Sequence, residues 1–473
     1  MTDTLMIGVS GIRGIVGKDL TEEIVARYAT AFGLWAKQRK ALVVVGRDAR
    51  ESGPAFERAV VEGLVSVGCA VVNVGLVPTP TVQLAVEHHA AGGGIAITAS
   101  HNPIEWNALK FIGPDGIFLD GADGIRVQGL VGQHAKDGKR EAGNVTADSR
   151  AVERHLAAVL KLPAVDVEGI RKKKFTMALD AVRGAGGPVM RALLERLGCE
   201  VAGINLETDG RFPRPPEPIP ENLGGLSTLV TRAGAELGIA VDPDVDRLAI
   251  VDEKGVPIGE DYTLAFAVRA VLGGQAGGRT GGPKAPSPSA SPAVRPSVVC
   301  NLSTSLVVED AARECGAVVV RTPVGEVHVA RAILRLAAVI GGEGNGGVMY
   351  PALHAGRDAP VAAALLLTLL ARDGRRVSEL VAAAPRYAIV KAKAERGTRN
   401  AGRGLEDVYA ALRKRFPEAS VDTQDGLRLA WRDRWLHVRP SNTEPIIRLI
   451  AEAPSGAEAQ GLVDEGRRLC AAS

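Results

Sequence analysis

Short β-branched runs alternate with helical stretches through the first three quarters of the chain, and the alternation repeats. Leu42-Val43-Val44-Val45 leads into the polar loop Gly46-Arg47-Asp48-Ala49-Arg50, a helical stretch over 57–67 follows, and Gly68-Cys69-Ala70-Val71-Val72 opens another strand. The same features recur at Met177-Ala178-Leu179-Asp180, a glycine-rich turn, a helix over 190–197 and Gly198-Cys199-Glu200-Val201. They recur again at Ser297-Val298-Val299-Cys300, the loop Asn301-Leu302-Ser303-Thr304, a helix over 307–314 and Gly316-Ala317-Val318-Val319-Val320. Strand, polar loop, helix, glycine, strand is the signature of a βαβ unit, so three copies predict three related α/β domains with mixed or parallel sheets.

Each copy supplies one further strand that ends in a polar or glycine-rich loop. These are Ile95-Ala96-Ile97 before Thr98-Ala99-Ser100-His101-Asn102-Pro103, Gly238-Ile239-Ala240-Val241 before Asp242-Pro243-Asp244-Val245-Asp246-Arg247, and Ala338-Val339-Ile340 before Gly341-Gly342-Glu343-Gly344-Asn345-Gly346-Gly347. Ligands of open α/β sheets collect at the carboxyl ends of strands, so the three loops are expected to converge on one cleft. The C-terminal part differs, with a helix over 405–416, a hairpin signal at Asp425-Gly426, strands around 428–431 and 434–438, and a last helix opened by a capping box, Ser455 with Glu458. It predicts a small α+β domain carrying a fourth loop, Arg439-Pro440-Ser441-Asn442-Thr443-Glu444-Pro445. The domains are expected at 1–150, 151–256, 257–375 and 376–473, with the Gly-, Pro-, Ala- and Ser-rich stretch 273–297 as a disordered insertion in the third. The apolar run 359–371 is too short to span a bilayer and predicts a buried helix.

At 473 residues the chain has room for several such domains. Its formal net charge of +3 gives no reason to expect nucleic acid or a membrane as partner, so an anionic ligand must be held by local arrangements. The five cysteines, Cys69, Cys199, Cys300, Cys315 and Cys470, lie far apart without C-x-x-C spacing. They predict neither a disulfide framework nor a zinc site, and a reducing, cytoplasmic setting fits them best. The first residues have no basic region followed by an apolar stretch, so they do not form a secretory signal.

Against this background the loops carry candidate chemistry. Asp242, Asp244 and Asp246 alternate around Pro243, and three hard oxygen ligands at that spacing suit Mg²⁺ at an open site, although a polar turn has the same composition. Ser100 offers a hydroxyl that becomes a nucleophile with help from a base or a metal, or else belongs to an ordinary turn. Lys110 downstream is a proton carrier or charge clamp, or a solvated lysine. Glu343 and Asn345 stand among five glycines, so the backbone can approach a ligand while a carboxylate and an amide meet sugar hydroxyls; a flexible turn is the competing account. Arg439, Ser441, Asn442 and Thr443 supply donors that fit phosphate oxygens, and Arg13 is held between glycines near the N-terminus.

With Thr-Ala-Ser-His-Asn-Pro, Asp-Pro-Asp-Val-Asp-Arg, Gly-Glu-Gly-Asn-Gly-Gly and Arg-Pro-Ser-Asn-Thr-Glu-Pro in this order, the chain resembles the α-D-phosphohexomutase superfamily over essentially its whole length. The resemblance implies a heart-shaped fold of four domains around a central cleft, three α/β and one α+β. It implies a phosphoserine at Ser100 and Mg²⁺ held by Asp242, Asp244, Asp246 and that phosphoserine. It implies substrate contacts from Arg247, Glu343 and Asn345, a grip on the non-reacting phosphate by Arg439, Ser441, Asn442 and Thr443, and support of the transfer by Arg13 and Lys110. Many members carry Gly and Ala at the positions of Pro243 and Val245, Ser at Asn345 and Gly at Asn442, and none of these departures removes a ligand atom. Some relatives carry His where this chain has Glu326, so one proton-transfer group stays unassigned and Glu326 is not counted as catalytic.

The activity implied is a magnesium-dependent phosphosugar mutase acting on a hexose or hexosamine phosphate. Phospho-Ser100 gives its phosphoryl group to the free hydroxyl, and the bisphosphorylated sugar turns over and returns its other phosphoryl group. The sugar loop, the Ser-Asn-Thr-Glu-Pro segment and Trp106-Asn107 look most like a phosphoglucosamine mutase branch, which predicts interconversion of glucosamine 6-phosphate and glucosamine 1-phosphate. Phosphomannomutase or phosphoglucomutase activity is the alternative. A phosphatase or a non-catalytic sugar-phosphate sensor would have less use for all four loops.

Overall fold

The computed structural model describes residues 5–8, 10–133, 144–276, 295–395, 405–441 and 446–472. Its strands form four sheets. The first contains β1 (Met6–Gly8), β2 (Gly11–Ile15), β3 (Leu42–Arg47), β4 (Ala70–Leu76), β5 (Gly93–Ile97), β6 (Trp106–Ile112) and β7 (Val145–Ala147), in the order β1-β2-β6-β5-β3-β4-β7. The second has β8 (Thr176–Asp180), β9 (Glu200–Ile204), β10 (Leu237–Val241) and β11 (Leu248–Asp252), ordered β11-β10-β8-β9. The third has β12 (Ser297–Asn301), β13 (Val318–Thr322), β14 (Ile340–Glu343) and β15 (Gly347–Met349), ordered β13-β12-β14-β15.

The repeat in the sequence is therefore a repeat of topology. The run β6-β5-β3-β4 of the first sheet corresponds to β11-β10-β8-β9 and to β15-β14-β12-β13. In each, three strands run parallel and the outer one returns antiparallel. The three motif loops occupy one equivalent place, the turn into that returning strand. Strands such as β5 and β10, buried at every residue, read as continuous apolar runs because both faces of the sheet are covered.

The fourth sheet is antiparallel and comprises β16 (Ala388–Glu395), β17 (Ser420–Asp422), β18 (Leu427–Ala430), β19 (Trp435–Pro440) and β20 (Ile446–Ala453), in the order β16-β20-β19-β18-β17. Leu412 and Val463, from helices Leu405–Arg415 and Gly456–Ala472, pack against Leu429, Leu436 and Leu449 in its core.

Several boundaries differ from expectation: the helices expected at 57–67 and 190–197 begin at Gly53 and Gly186, and two further differences concern the third unit. The strand before the third loop is β14 and not 338–340, so Gly341, Gly342 and Glu343 belong to the sheet. Glycine looks like loop material, but a Cβ on Gly342 would lie 2.2 Å from the Gly347 carbonyl oxygen, and the bare backbone lets β14 and β15 close. The helix that begins at Asp261 continues to Ala276, beyond the expected start of the insertion at 273; residues 277–294 lie outside the described residues. Among the described residues no helix is long and apolar enough to cross a membrane.

The apolar run forms helix Ala359–Asp373, and its N-cap Asp358 joins the first three units. Fully buried, Asp358 accepts from Val361 N through Oδ1 and pairs through Oδ2 with His155 Nε2 at 2.8 Å and His354 Nε2 at 3.0 Å. His155 Nδ1 in turn meets Thr81 Oγ1 at 2.8 Å. Burial pushes the Asp358 carboxyl up, but the two histidines outweigh it and hold it well below the ordinary range. A depressed folded-state pKa gives stability that is present above the unfolded value and lost as pH falls through it. We expect Asp358→Asn, which keeps the cap, to cost about 3 kcal/mol at neutral pH. The deficit should shrink below about pH 4, the ordinary range of an aspartate. Urea unfolding of both proteins across a pH series checks this, and a deficit independent of pH would show that charge is not its source.

Candidate active site

Ser100 lies on the β5–β6 connection at φ +49°, a left-handed conformation uncommon outside glycine. Its amide donates to Thr98 Oγ1 at 2.9 Å, and Thr98 Oγ1 donates to Asp48 Oδ2 at 2.6 Å. Arg50, wholly buried, holds the turn from beneath. Its guanidinium donates to the carbonyls of Ser100, Asn102 and Pro103, each at 2.7 Å, and of Trp106 at 2.8 Å, and it pairs with Asp48 at 3.2 Å. Five N–H donors in a rigid fork suit that set; a lysine nitrogen cannot reach all of it. Burial lowers the pKa of Arg50 and raises that of Asp48, so the pair persists only because its hydrogen bonds offset desolvation. Neither residue stands out in the sequence beyond its place in a polar loop. The missing signal is strand order, because β3 neighbours β5 and its terminal loop therefore underlies the serine turn.

The Ser100 hydroxyl donates to Asp242 Oδ2 at 2.7 Å, which brings the first and second loops together. Carboxylate oxygens of Asp242, Asp244 and Asp246 lie within 4.8 Å of one another, and all three residues are buried. The backbone turns at Val245, φ +62°, an outlier for a β-branched residue. Thr79, unremarked in the sequence, grips this loop from the first domain by donating its amide to the Asp244 carbonyl at 2.9 Å and its hydroxyl to Asp244 Oδ2 at 2.8 Å. Lys110 Nζ donates to the same Oδ2 at 2.7 Å and lies 3.6 Å from Asp246 Oδ2. Burial alone would lower the lysine pKa, but Asp244 and Asp246 outweigh it and raise it. Burial, reinforced by Asp246 and Asp244, pushes the Asp242 carboxyl well above its ordinary value. For Asp244 burial is outweighed by Lys110 and by hydrogen bonds, and its pKa falls well below the usual range. Asp244 Oδ1 and Asp246 Oδ1 are buried and accept no hydrogen bond. Orphaned oxygens in a cluster of three hard ligands fit a divalent cation such as Mg²⁺.

Glu343 ends β14 opposite Gly347 and is buried. Its Oε1 accepts from Asn301 Nδ2 at 2.9 Å and Gly325 N at 3.2 Å, and its Oε2 from Arg357 Nη1 at 2.9 Å and Asn345 Nδ2 at 3.5 Å. Asn345 Oδ1 accepts from Gly347 N at 3.2 Å. A Cβ on Gly347 would lie 2.2 Å from Arg357 Cδ, so this glycine makes room for a side chain of the protein itself, where room for a ligand was expected. Arg357 lies outside every motif loop, yet it also donates to Asp246 Oδ2 at 2.5 Å and lies 3.0 Å from Glu326 Oε2.

Pairing of Gly11 with Lys110 and of Arg13 with Ala108 puts both cations on one face of β2 and β6. Arg13 Nη1 donates to Asn102 Oδ1 at 2.7 Å, and Arg247 Nη1 donates to Glu217 Oε1 at 3.2 Å with its Nε 3.9 Å from Asp246 Oδ1. Arg247, with burial and Arg13 adding to it, holds the His101 imidazole well below its ordinary pKa. One connected cluster thus contains Ser100, Arg13, Lys110, Asp242, Asp244, Asp246, Arg247, Glu343 and Asn345. Arg439 is held at the seam of the third and fourth domains, Nε 2.9 Å from Asp425 Oδ2, an oxygen that also accepts from Val324 N at 3.1 Å. Ser441 N donates to the Ile446 carbonyl at 2.9 Å, while Asn442 and Thr443 lie outside the described residues.

Four models of the phosphoglucomutase/phosphomannomutase family match in chain order: alpha/beta/alpha domains I, II and III at 4–133, 153–255 and 284–387, and the C-terminal domain at 375–469. The chain is 36% identical to a phosphoglucomutase/phosphomannomutase of Thermococcus kodakarensis over 98% of each chain. It is 37% identical to a probable phosphoglucosamine mutase of Methanopyrus kandleri over 97% of this chain and 96% of that one. A crystal structure of a phosphoglucomutase/phosphomannomutase family protein from Burkholderia thailandensis superposes with a TM-score of 0.81 at 27% identity, covering 99% of this chain and 98% of that chain.

We expect Asp244→Asn to weaken binding of Mn²⁺, measured by calorimetry with the metal alone, by about tenfold or more, since an anionic oxygen ligand is lost. Its circular dichroism should stay native. Arg50→Lys should lower the thermal midpoint, because a lysine leaves several of the buried carbonyls of the serine turn without a donor, at about 1–3 kcal/mol for each group left unpaired. A melting curve that matches the parent would remove Arg50 from its supporting role.

Proposed function

The chain belongs to the phosphoglucomutase/phosphomannomutase family, and we propose that this phosphosugar mutase interconverts glucosamine 6-phosphate and glucosamine 1-phosphate through phospho-Ser100 and a bisphosphorylated sugar. The observation that carries the mechanism is the Ser100 hydroxyl 2.7 Å from a buried three-carboxylate cluster, with Lys110 bonded to that cluster. The phosphoryl group passes from Ser100 Oγ to the free hydroxyl of the sugar phosphate, the old O–P bond breaking as the new one forms. Asp242, Asp244, Asp246 and the phosphoserine would hold Mg²⁺, which supplies neutralisation of the charge on the transferring group. Lys110, kept charged by Asp244 and Asp246, faces that group from the first domain. Arg13 steadies the serine turn through Asn102. Burial of Ser100 keeps water from the phosphoserine between turnovers.

Arg247, Glu343 and Asn345 are proposed to meet the sugar, and Arg439, Ser441, Asn442 and Thr443 the distal phosphate. Because Glu343 is already paired with Arg357, its charge does not by itself select an ammonium over a hydroxyl. The preference for glucosamine rests on the motif pattern and on likeness to a relative named for that substrate. Likeness to a relative named for glucose and mannose phosphates supports the second reading.

After priming with a hexose 1,6-bisphosphate, kcat/KM for glucosamine 6-phosphate should exceed that for glucose and mannose phosphates. A tenfold preference for either of those, about 1.4 kcal/mol of discrimination, would move the assignment to the second reading. Peptide mass spectrometry should find the phosphoryl group on Ser100, and Ser100→Ala should be inactive. An active Ser100→Ala protein phosphorylated only elsewhere would refute the mechanism.

A further inference from the structure

We infer that Arg357 is a positioning residue that ties the sugar hairpin to the metal loop and so fixes where the sugar stands relative to the transferring phosphoryl group. The inference rests on the mutase reading and concerns a residue outside its motif loops. Two nitrogens of the guanidinium donate to carboxylates of different connections, and the third lies close to a carboxylate of another without a hydrogen bond. Nη2 donates to Asp246 Oδ2 at 2.5 Å, Nη1 donates to Glu343 Oε2 at 2.9 Å, and Nε lies 3.0 Å from Glu326 Oε2. Asp246 belongs to the β10–β11 turn, Glu343 to the β14–β15 hairpin, and Glu326 to the first turn of helix Glu326–Leu336 after β13. Only a planar fork can span the three; an ammonium is a single point.

The backbone that carries Arg357 is fixed by the same elements. Its amide donates to Glu326 Oε1 at 3.3 Å, Asp358 N to the Val348 carbonyl at 2.9 Å, and Ala359 N to the Val245 carbonyl at 3.2 Å. Asp358 then caps the buried helix Ala359–Asp373. The guanidinium therefore projects from a rigid base into the space that Gly347 leaves free, with its side chain 9% exposed. A residue that only filled a gap would need neither the two hydrogen bonds to acids of separate loops nor the third carboxylate beside it. Two of those acids, Asp246 and Glu343, stand in the metal and sugar roles.

The test uses the full-length chain and three variants. Arg357→Lys keeps the charge and loses the span, Arg357→Gln loses both, and Gly347→Ala pushes the guanidinium aside without changing its chemistry. Arg357→Lys and Gly347→Ala should stay folded at the assay temperature even where the melting midpoint falls, with kcat per folded molecule for the preferred sugar phosphate down about a hundredfold and KM changed by less than about threefold, as for a misplaced reactant. Removing the cation that competes for Asp246 should make Mn²⁺, titrated alone, bind severalfold more tightly to Arg357→Gln. Parental kcat in Arg357→Lys and Gly347→Ala overturns the inference. So does a loss of kcat that only follows the loss of folded protein, or Mn²⁺ affinity in Arg357→Gln that is unchanged or weaker. If the parent chain isomerises no hexose or hexosamine phosphate, the proposed function falls, and tighter Mn²⁺ binding in Arg357→Gln still supports the link between Arg357 and the metal loop.

Discussion

Crowded negative charge away from water is the constraint on which this structure turns. Asp242, Asp244, Asp246, Glu326 and Glu343 have side chains largely shielded from solvent, and Lys110 and Arg357 are the cations bonded among them. Burial raises the pKa of both Asp242 and Glu326, the mark of a cluster that is costly to assemble. The surrounding architecture holds it together. Thr79 clamps Asp244 from one domain, Asn301 and Gly325 N hold Glu343 from another, and Arg357 bridges the loops. The three aspartates of such a cluster suit a divalent cation, and their loop can form only where residues distant in sequence meet.

Two residues carry backbone strain at the centre of this arrangement. Ser100 and Val245 both adopt left-handed conformations, and each is over-determined by its neighbours. Arg50 binds the carbonyl of Ser100, and Ala359 N binds that of Val245 while its side chain is wholly buried. The strain thus falls on Ser100, the proposed nucleophile, and on the middle of the Asp242–Asp246 loop.

Much of this was legible in the chain. The threefold strand, loop, helix, strand pattern foretold three equivalent sheets, because each strand is a local apolar run and each loop a local polar one. The serine, aspartate and glycine-rich loops were found for the same reason. What was hidden depends on contacts through space. Asp48 and Arg50 matter because β3 lies beside β5, Thr79 because one domain reaches into another, and Arg357 because Gly347 leaves it room. The end of β14 was misplaced because glycine's local preference for loops is overridden where two backbones must close. Glu343 was expected to meet sugar hydroxyls; that its oxygens are also engaged by four protein donors is a fact no local pattern announces.

The hydrogen bond from Leu248 N to the Gly346 carbonyl, 3.1 Å, joins the returning strand of the second sheet to the β14–β15 hairpin of the third. It acts alongside Ala359 to Val245 and Arg357 to Asp246. With Thr263 Oγ1 donating to the Leu248 carbonyl at 2.7 Å, these ties pin the edge of the second sheet to the third unit at several separate points. The fourth domain meets the third through side-chain contacts such as Ser303 with His437 and Val324 N with Asp425. In the mutase cycle proposed above, a bisphosphorylated sugar that exchanges its ends would turn over a floor pinned in this way. The reorientation would then fall to the ligand more than to these two sheets.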